Sequence, residues 1–187
     1  LARVFGVLKV PSLAYIDDWL WSVPQSRLQP VRDFIKALFS LLGWSFNEKG
    51  QEGTRVEFLG FIVDSMKRMF FAREAQLDVL SSQVKELQLA AGVGRWVPKD
   101  LVQRAVGRAI SLSLAIPAIR VWCRSLYAQI HEQEGANAVL LSLESVRELE
   151  MLLSLIQDAN GAPFVDPAHD LDIDMWVDSG ECGWGAH

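Results

Sequence analysis

The chain has little of what staples or ligates, with two cysteines and three histidines in 187 residues. Cys123 and Cys182 lie far apart with no metal-ligand spacing around them, which suits reduced thiols better than a disulfide framework. His131, His169 and His187 form no metal-spaced cluster. No apolar run approaches the roughly 20 residues a membrane span requires, and no secretion signal opens the chain. An intracellular protein with no membrane partner is therefore expected. The absence of a Gly-x-Ser-x-Gly elbow and of a phosphate-loop motif weakens hydrolase and P-loop readings. There is no internal repeat and no low-complexity tract.

Half of the residues are hydrophobic, enough for one sizeable core or two small ones. The first residue is Leu1, not methionine, and the last, His187, follows a Gly/Trp/Gly cluster that belongs inside a strand, so a fragment is expected. The net charge of −5 conceals an asymmetry. Of the 18 Lys and Arg, 17 lie in residues 1–131, whereas 12 of the 23 Asp and Glu lie in 132–187. Arg95, Lys99, Arg104, Arg108, Arg120 and Arg124 face a single acid, Asp100, between 95 and 124. Such a concentration could neutralise nucleic-acid phosphates, or it could be a solvated helix face.

Pattern predicts an α+β chain. Residues 10–23 suggest two short strands joined as a hairpin at Asp17 and Asp18. Pro30 then opens a helix with apolar residues from Val31 to Leu42 at helical spacing, and Gly43 stops it. A short strand is expected at 44–47, a polar loop at 48–54, one longer strand at 56–64, and a return through Arg68 to Ala72 after a turn. From Glu74 the character is helical: one helix up to the glycines at 92 and 94, a second from near Pro98, a third after Pro117 and a fourth from Val139 to Ile156. Residues 159–171 read as a linker, and strand alternation resumes after it with a turn at 179–182. Trp44, Trp122 and Trp176 occupy core-like positions.

Two adjacent ionised acids in an apolar strand pair repel each other and lose hydration, so they cost stability unless a cation compensates them. A divalent metal is one answer, since magnesium takes one or two carboxylates together with substrate phosphate oxygens. A solvent-facing Asp-Asp turn is the plain alternative.

Tyr15-Ile16-Asp17-Asp18 resembles the Tyr-x-Asp-Asp signature of reverse transcriptases, which sits on a hairpin in the palm domain. Further segments agree in order and spacing. Leu42 to Lys49 resembles the next palm motif, with Lys49 at the lysine position near the incoming nucleotide. Phe58, Leu59 and Gly60 resemble the Phe-Leu-Gly core of the primer grip. Residues 101–120, with Arg104 and Arg108 sharing a helix face, are similar to the thumb and connection helices. Residues 177–186 resemble the first hairpin of ribonuclease H, Asp178 matching its first metal ligand. The combination is most similar to retrotransposons of the tyrosine-recombinase (DIRS-like) group.

The resemblance implies a partial reverse-transcriptase palm over 1–73, a helical thumb/connection over 74–158, a linker over 159–171 and a truncated ribonuclease H-like start over 172–187. It also implies two-metal nucleotidyl transfer with Mg²⁺ or Mn²⁺, on an RNA or DNA template-primer duplex with deoxynucleotides. Asp17, with an aspartate upstream of Leu1, would hold the metals, and Asp18 would add field and geometry. Tyr15 would pack beside the primer terminus and Lys49 would donate a proton to pyrophosphate. Phe58, Leu59 and Gly60 would position the primer, Arg104 and Arg108 the duplex backbone. Asp178 would begin a second two-metal site. Two other readings stay open, a non-catalytic nucleic-acid-binding remnant of a decayed retroelement and a helical interaction module whose acids face only solvent.

Overall fold

The computed structural model describes residues 10–45, 50–91, 96–133 and 135–164 in full, and the backbone of 177–180 and 183–186. Strands β1 (Ser12–Tyr15) and β2 (Asp18–Trp21) form an antiparallel hairpin, as the sequence predicts. A 3₁₀ turn leads into helix α1 (Leu28–Leu41). Pro30 lies in its first turn, where a missing N–H costs nothing. The apolar face of α1 buries Ile35 and Phe39 under the hairpin, against Trp19 and Trp21. The two indoles stack at 5.8 Å and both meet Phe39 edge-on.

Gly43 ends α1 with φ 72°. Its N–H donates to Ser40 O at 3.0 Å and that of Trp44 to Phe39 O at 2.9 Å, the paired bonds of a Schellman cap. The expected strand at 44–47 is therefore not found at Trp44 and Ser45, whose backbone is committed to the cap or irregular; 46 and 47 lie outside the described residues. Trp44 touches Phe39 edge-on but is half exposed rather than a core residue.

The stretch expected as one strand at 56–64 is instead a tight hairpin of β3 (Arg55–Phe58) and β4 (Phe61–Asp64). Leu59 and Gly60 both adopt positive φ, 48° and 84°, so the chain reverses there. Strand β5 (Met69–Ala72) follows after a loop held by Asp64, whose Oδ1 accepts from the N–H groups of Met66 and Lys67. The sheet gains a fourth strand from far along the chain, β8 (Ala162–Pro163). Composition assigned 159–164 to a linker, yet Asn160 donates to Ala72 O at 3.1 Å and accepts from Ala72 N–H at 2.8 Å. Its side-chain amide thus continues the ladder where β8 stops. Gly161 is required there, since a Cβ would lie 2.8 Å from Met69 Cε and 2.9 Å from Phe71 Cε1.

The larger core is helical. Helices α2 (Glu74–Ala90), α3 (Lys99–Ser111), α4 (Arg124–Glu132) and α5 (Leu143–Asp158) bury Leu80, Leu87, Leu112, Ile116, Ile119, Leu126, Leu149 and Leu152, with a 3₁₀ segment from Pro117 to Cys123 between α3 and α4. Trp122 packs against this core. The fourth helix starts later than its periodicity suggests, because Ser142 caps it by accepting from Ser145 N–H at 3.1 Å. Residues 138–140 form strand β7 (Ala138–Leu140) instead, paired with β6 (Trp96–Pro98). Helix α4 has no side-chain cap of its own; the buried Glu148 of α5 supplies one, its two carboxylate oxygens accepting from Ser125 N–H at 2.8 Å and Leu126 N–H at 3.0 Å. Burial and the Glu148 charge push the neighbouring Cys123 thiol up to about 12. Strands β9 (Val177–Gly180) and β10 (Gly183–Ala186) form a final antiparallel hairpin.

Candidate nucleic-acid site

The acids sit at the tip of the first hairpin. Tyr15 pairs with Asp18, which leaves Ile16 and Asp17 as a two-residue turn. Ile16 alone in this turn has positive φ, 55°, the pattern of a type II′ turn. Glycine normally takes that position, and a β-branched residue there is strained. Ile16 is also 85% exposed, so no packing contact offsets the strain. Because facing residues share a side of the pleat, Tyr15 and Asp18 stand on the face opposite Trp19 and Trp21, which are packed on α1.

The second strained turn faces the first. Leu59 and Gly60 form a type I′ turn, with a bulky side chain where Asn or Asp is usual. Asp18, Phe58, Leu59 and Gly60 line one open cavity of about 250 Å³, together with Gln51 and Glu57. Two segments singled out separately in the sequence are thereby brought together. Glycine suits this turn through its φ of 84°, and a Cβ on Gly60 would also press on Gln76 Nε2 at 3.1 Å, at the start of α2. Glu57 is paired with Arg73 at 3.3 Å.

Asp17 and Asp18 are exposed, and among the described residues neither forms an ion pair or a side-chain hydrogen bond. Two adjacent carboxylates left to water in this way fit a hard divalent cation that keeps part of its hydration. Among the described residues no group of three acids, histidines or cysteines is arranged to hold a metal ion, Glu57 being paired with Arg73. Lys49 lies outside the described residues, and so does the side chain of Asp178, whose backbone pairs with Gly185 in the last hairpin.

A second surface lies between α2 and α3. Arg104 and Arg108 line a cavity of about 370 Å³ with Gln83, Gln103, Gly107 and Ser111. Arg108 Nε donates to Gln83 Oε1 at 3.1 Å, which fixes its guanidinium, while Arg104 reaches Asp100 at 3.3 Å and stays largely exposed. Nothing lies within 4 Å of a Cβ built on Gly107, so the helix backbone is open to an approaching molecule. Sequence reasoning named the two arginines but not the rest of this stripe. The signal was present, since Gln103, Gly107 and Ser111 recur every four residues beside Arg104 and Arg108. Gln51 and Glu57 gave no such signal, because their place in the first cavity depends on loop and hairpin geometry.

Solved structures share the fold. The chain superposes on the foamy viral protease-reverse transcriptase dRH in complex with ds DNA with a TM-score of 0.57 at 20% identity, over 88% of this chain. On the foamy viral protease-reverse transcriptase in complex with RNA/DNA hybrid the TM-score is 0.58 at 20% identity over 87%, and on its complex with dsDNA 0.56 at 20% over 94%. This is part of a reverse-transcriptase fold. The chain spans 28%, 21% and 34% of the length of those three chains. No family profile matches the chain, and no curated protein matches it significantly in sequence. Within this reverse-transcriptase fold, no helix among the described residues is long and apolar enough to cross a membrane.

Proposed function

We propose that the chain is the palm end, helical thumb/connection and ribonuclease H start of an intracellular retroelement reverse transcriptase, of the tyrosine-recombinase (DIRS-like) retrotransposon group. The observation that carries the reading is the shared cavity of Asp18 and the Phe58-Leu59-Gly60 turn, two hairpins far apart in sequence. An acidic tip beside a turn of exposed backbone suits a primer end. The foamy viral neighbours were solved with dsDNA or an RNA/DNA hybrid, which supports a template-primer duplex as the partner here.

In this reading Asp17 and Asp18 would hold Mg²⁺ or Mn²⁺. Bound there, such an ion supplies activation of the primer hydroxyl and charge compensation for the nucleotide phosphates. The rest falls to the chain's own groups. Tyr15, 57% exposed on the face shared with Asp18, packs against the primer terminus. Phe58, Leu59 and Gly60 hold the primer strand, glycine allowing close backbone approach. Arg104 and Arg108 take phosphates of the duplex across the α2–α3 cavity. Lys49 donates a proton to the leaving pyrophosphate, and Asp178 opens the ribonuclease H site.

The test is a salt titration of hybrid-duplex binding by the 187-residue chain. Affinity should fall steeply and log-linearly with salt, and Arg108→Ala should lower the slope by about 1. Absence of salt-dependent duplex affinity overturns the reading. Binding by a polymerase containing this segment that lacks metal-dependent primer extension would instead favour the non-catalytic remnant.

A further inference from the structure

We infer that Gln51 is a positioning residue for the primer, its side-chain NH₂ donating to the hydroxyl of the terminal sugar beside Asp18. This rests on the reverse-transcriptase reading above and adds a residue that no motif marks.

The orientation of the Gln51 amide is set by its neighbour. Glu57 N–H can only donate, and it reaches Gln51 Oε1 at 2.8 Å, so the oxygen faces β3 and the NH₂ is left for other partners. Beyond Gln51 the loop is tied to α1 and to Ser65 after β4. Glu52 pairs with Arg32 of α1 at 2.8 Å, and Thr54 O accepts from the Ser65 N–H at 2.8 Å and the Ser65 hydroxyl at 3.0 Å. Gln51 is thus bonded to the grip hairpin, next in sequence to the residue that ties the loop to α1, and lines the cavity that holds Asp18.

The chemistry of that wall selects the ligand. Asp18 and Glu57 are both among the lining residues, and among the described residues the ion pair of Arg73 is with Glu57, so Asp18 disfavours an anionic phosphate on its side. A neutral hydroxyl meets the opposite situation, because it can donate to Asp18 while accepting from the Gln51 NH₂. The apolar part of the lining, Phe58 and Leu59, suits the carbon face of a sugar. A primer terminus presents those groups in one unit.

The test compares two recessed hybrid duplexes, one ending in a 3′-hydroxyl and one in a 3′-deoxy sugar, binding to the full 187-residue chain without divalent metal. The hydroxyl primer should bind about 3- to 10-fold tighter, the worth of one net hydrogen bond. Gln51→Ala should lower that ratio at least about twofold, leaving the share due to Asp18, as should Gln51→Glu, which keeps an oxygen for Glu57 N–H but has no NH₂ to donate. A purely structural role would be rescued by Gln51→Glu. Equal affinities in the unsubstituted chain, or a ratio undiminished in Gln51→Glu, overturn the inference and leave the polymerase reading standing. Failure to bind either duplex overturns both. Because the readout is a ratio, a general loss of affinity from the new charge does not imitate the expected result.

Discussion

The two hydrophobic cores treat polar and strained groups in opposite ways. In the helical part the carboxylate of Glu148 is buried and both of its oxygens are bonded to the start of α4. In the hairpin part Asp17 and Asp18 face water, and Ile16 and Leu59 hold left-handed backbone conformations on bulky side chains. One region invests in stability. The other retains features that cost it, and two of them, Asp18 and Leu59, meet at one cavity, as expected where strain and uncompensated charge serve binding.

The largest effect that tests this contrast concerns the exposed acids. In a polymerase containing this segment, Asp17→Asn should lower primer extension by more than about 100-fold, since neutralising a metal-holding charge removes several kcal/mol of transition-state stabilisation. Duplex affinity and the urea midpoint should barely change; retained synthesis would remove Asp17 from the chemistry. The buried acid should behave in reverse. Glu148→Ala leaves two N–H groups at the start of α4 without an acceptor and should cost about 3 kcal/mol in urea unfolding, whereas Glu148→Gln should recover part of it.

Smaller effects refine the boundary between the regions. Gly161→Ala forces a Cβ against Met69 and Phe71 and should destabilise the chain by about 2 kcal/mol, with amide-exchange protection lost first at Met69 and Phe70, the partners of β8. The Cys123 thiol ionises near 9.0 when unfolded and near 12 when folded, so the unfolded chain releases its proton first. Stability is therefore complete below about pH 9 and declines as pH rises towards 12, a decline that Cys123→Ala should flatten in unfolding curves taken at successive pH values. Smallest is Leu59→Asn, which gives the type I′ turn its preferred Asn-Gly pair and should stabilise by about 1 kcal/mol. If the strained leucine serves the primer, the same variant should weaken binding of a recessed duplex.

What the sequence revealed follows the range of the interactions involved. The first hairpin, α1 and the glycine that ends it are local, and their signals were legible from proline, glycine and apolar spacing. The β3–β4 turn was hidden because Leu59 is no turn former, so an apolar run read as one strand. Strands β7 and β8 are three and two residues long and exist through partners distant in sequence, which periodicity cannot reveal. The candidate site divides in the same way. Asp17 and Asp18 drew attention as an electrostatic cost and the arginines through their spacing, but the meeting of Asp18 with Leu59 and Gly60 was legible only through family resemblance. Gln51 was not legible at all, since its role depends on one backbone N–H of a neighbouring strand.

The clip between Asn160 and Ala72 has a consequence for biosynthesis. Its two ends are 88 residues apart, so at 5–20 residues per second the outer edge of β5 waits roughly 4 to 18 s for its partner to leave the ribosome. During that interval Met69, Phe70 and Phe71 present an open, apolar strand edge, the kind that captures other chains. Nascent copies of this protein therefore need dilution or a chaperone until the last helix, which also completes the helical core, and β8 have emerged.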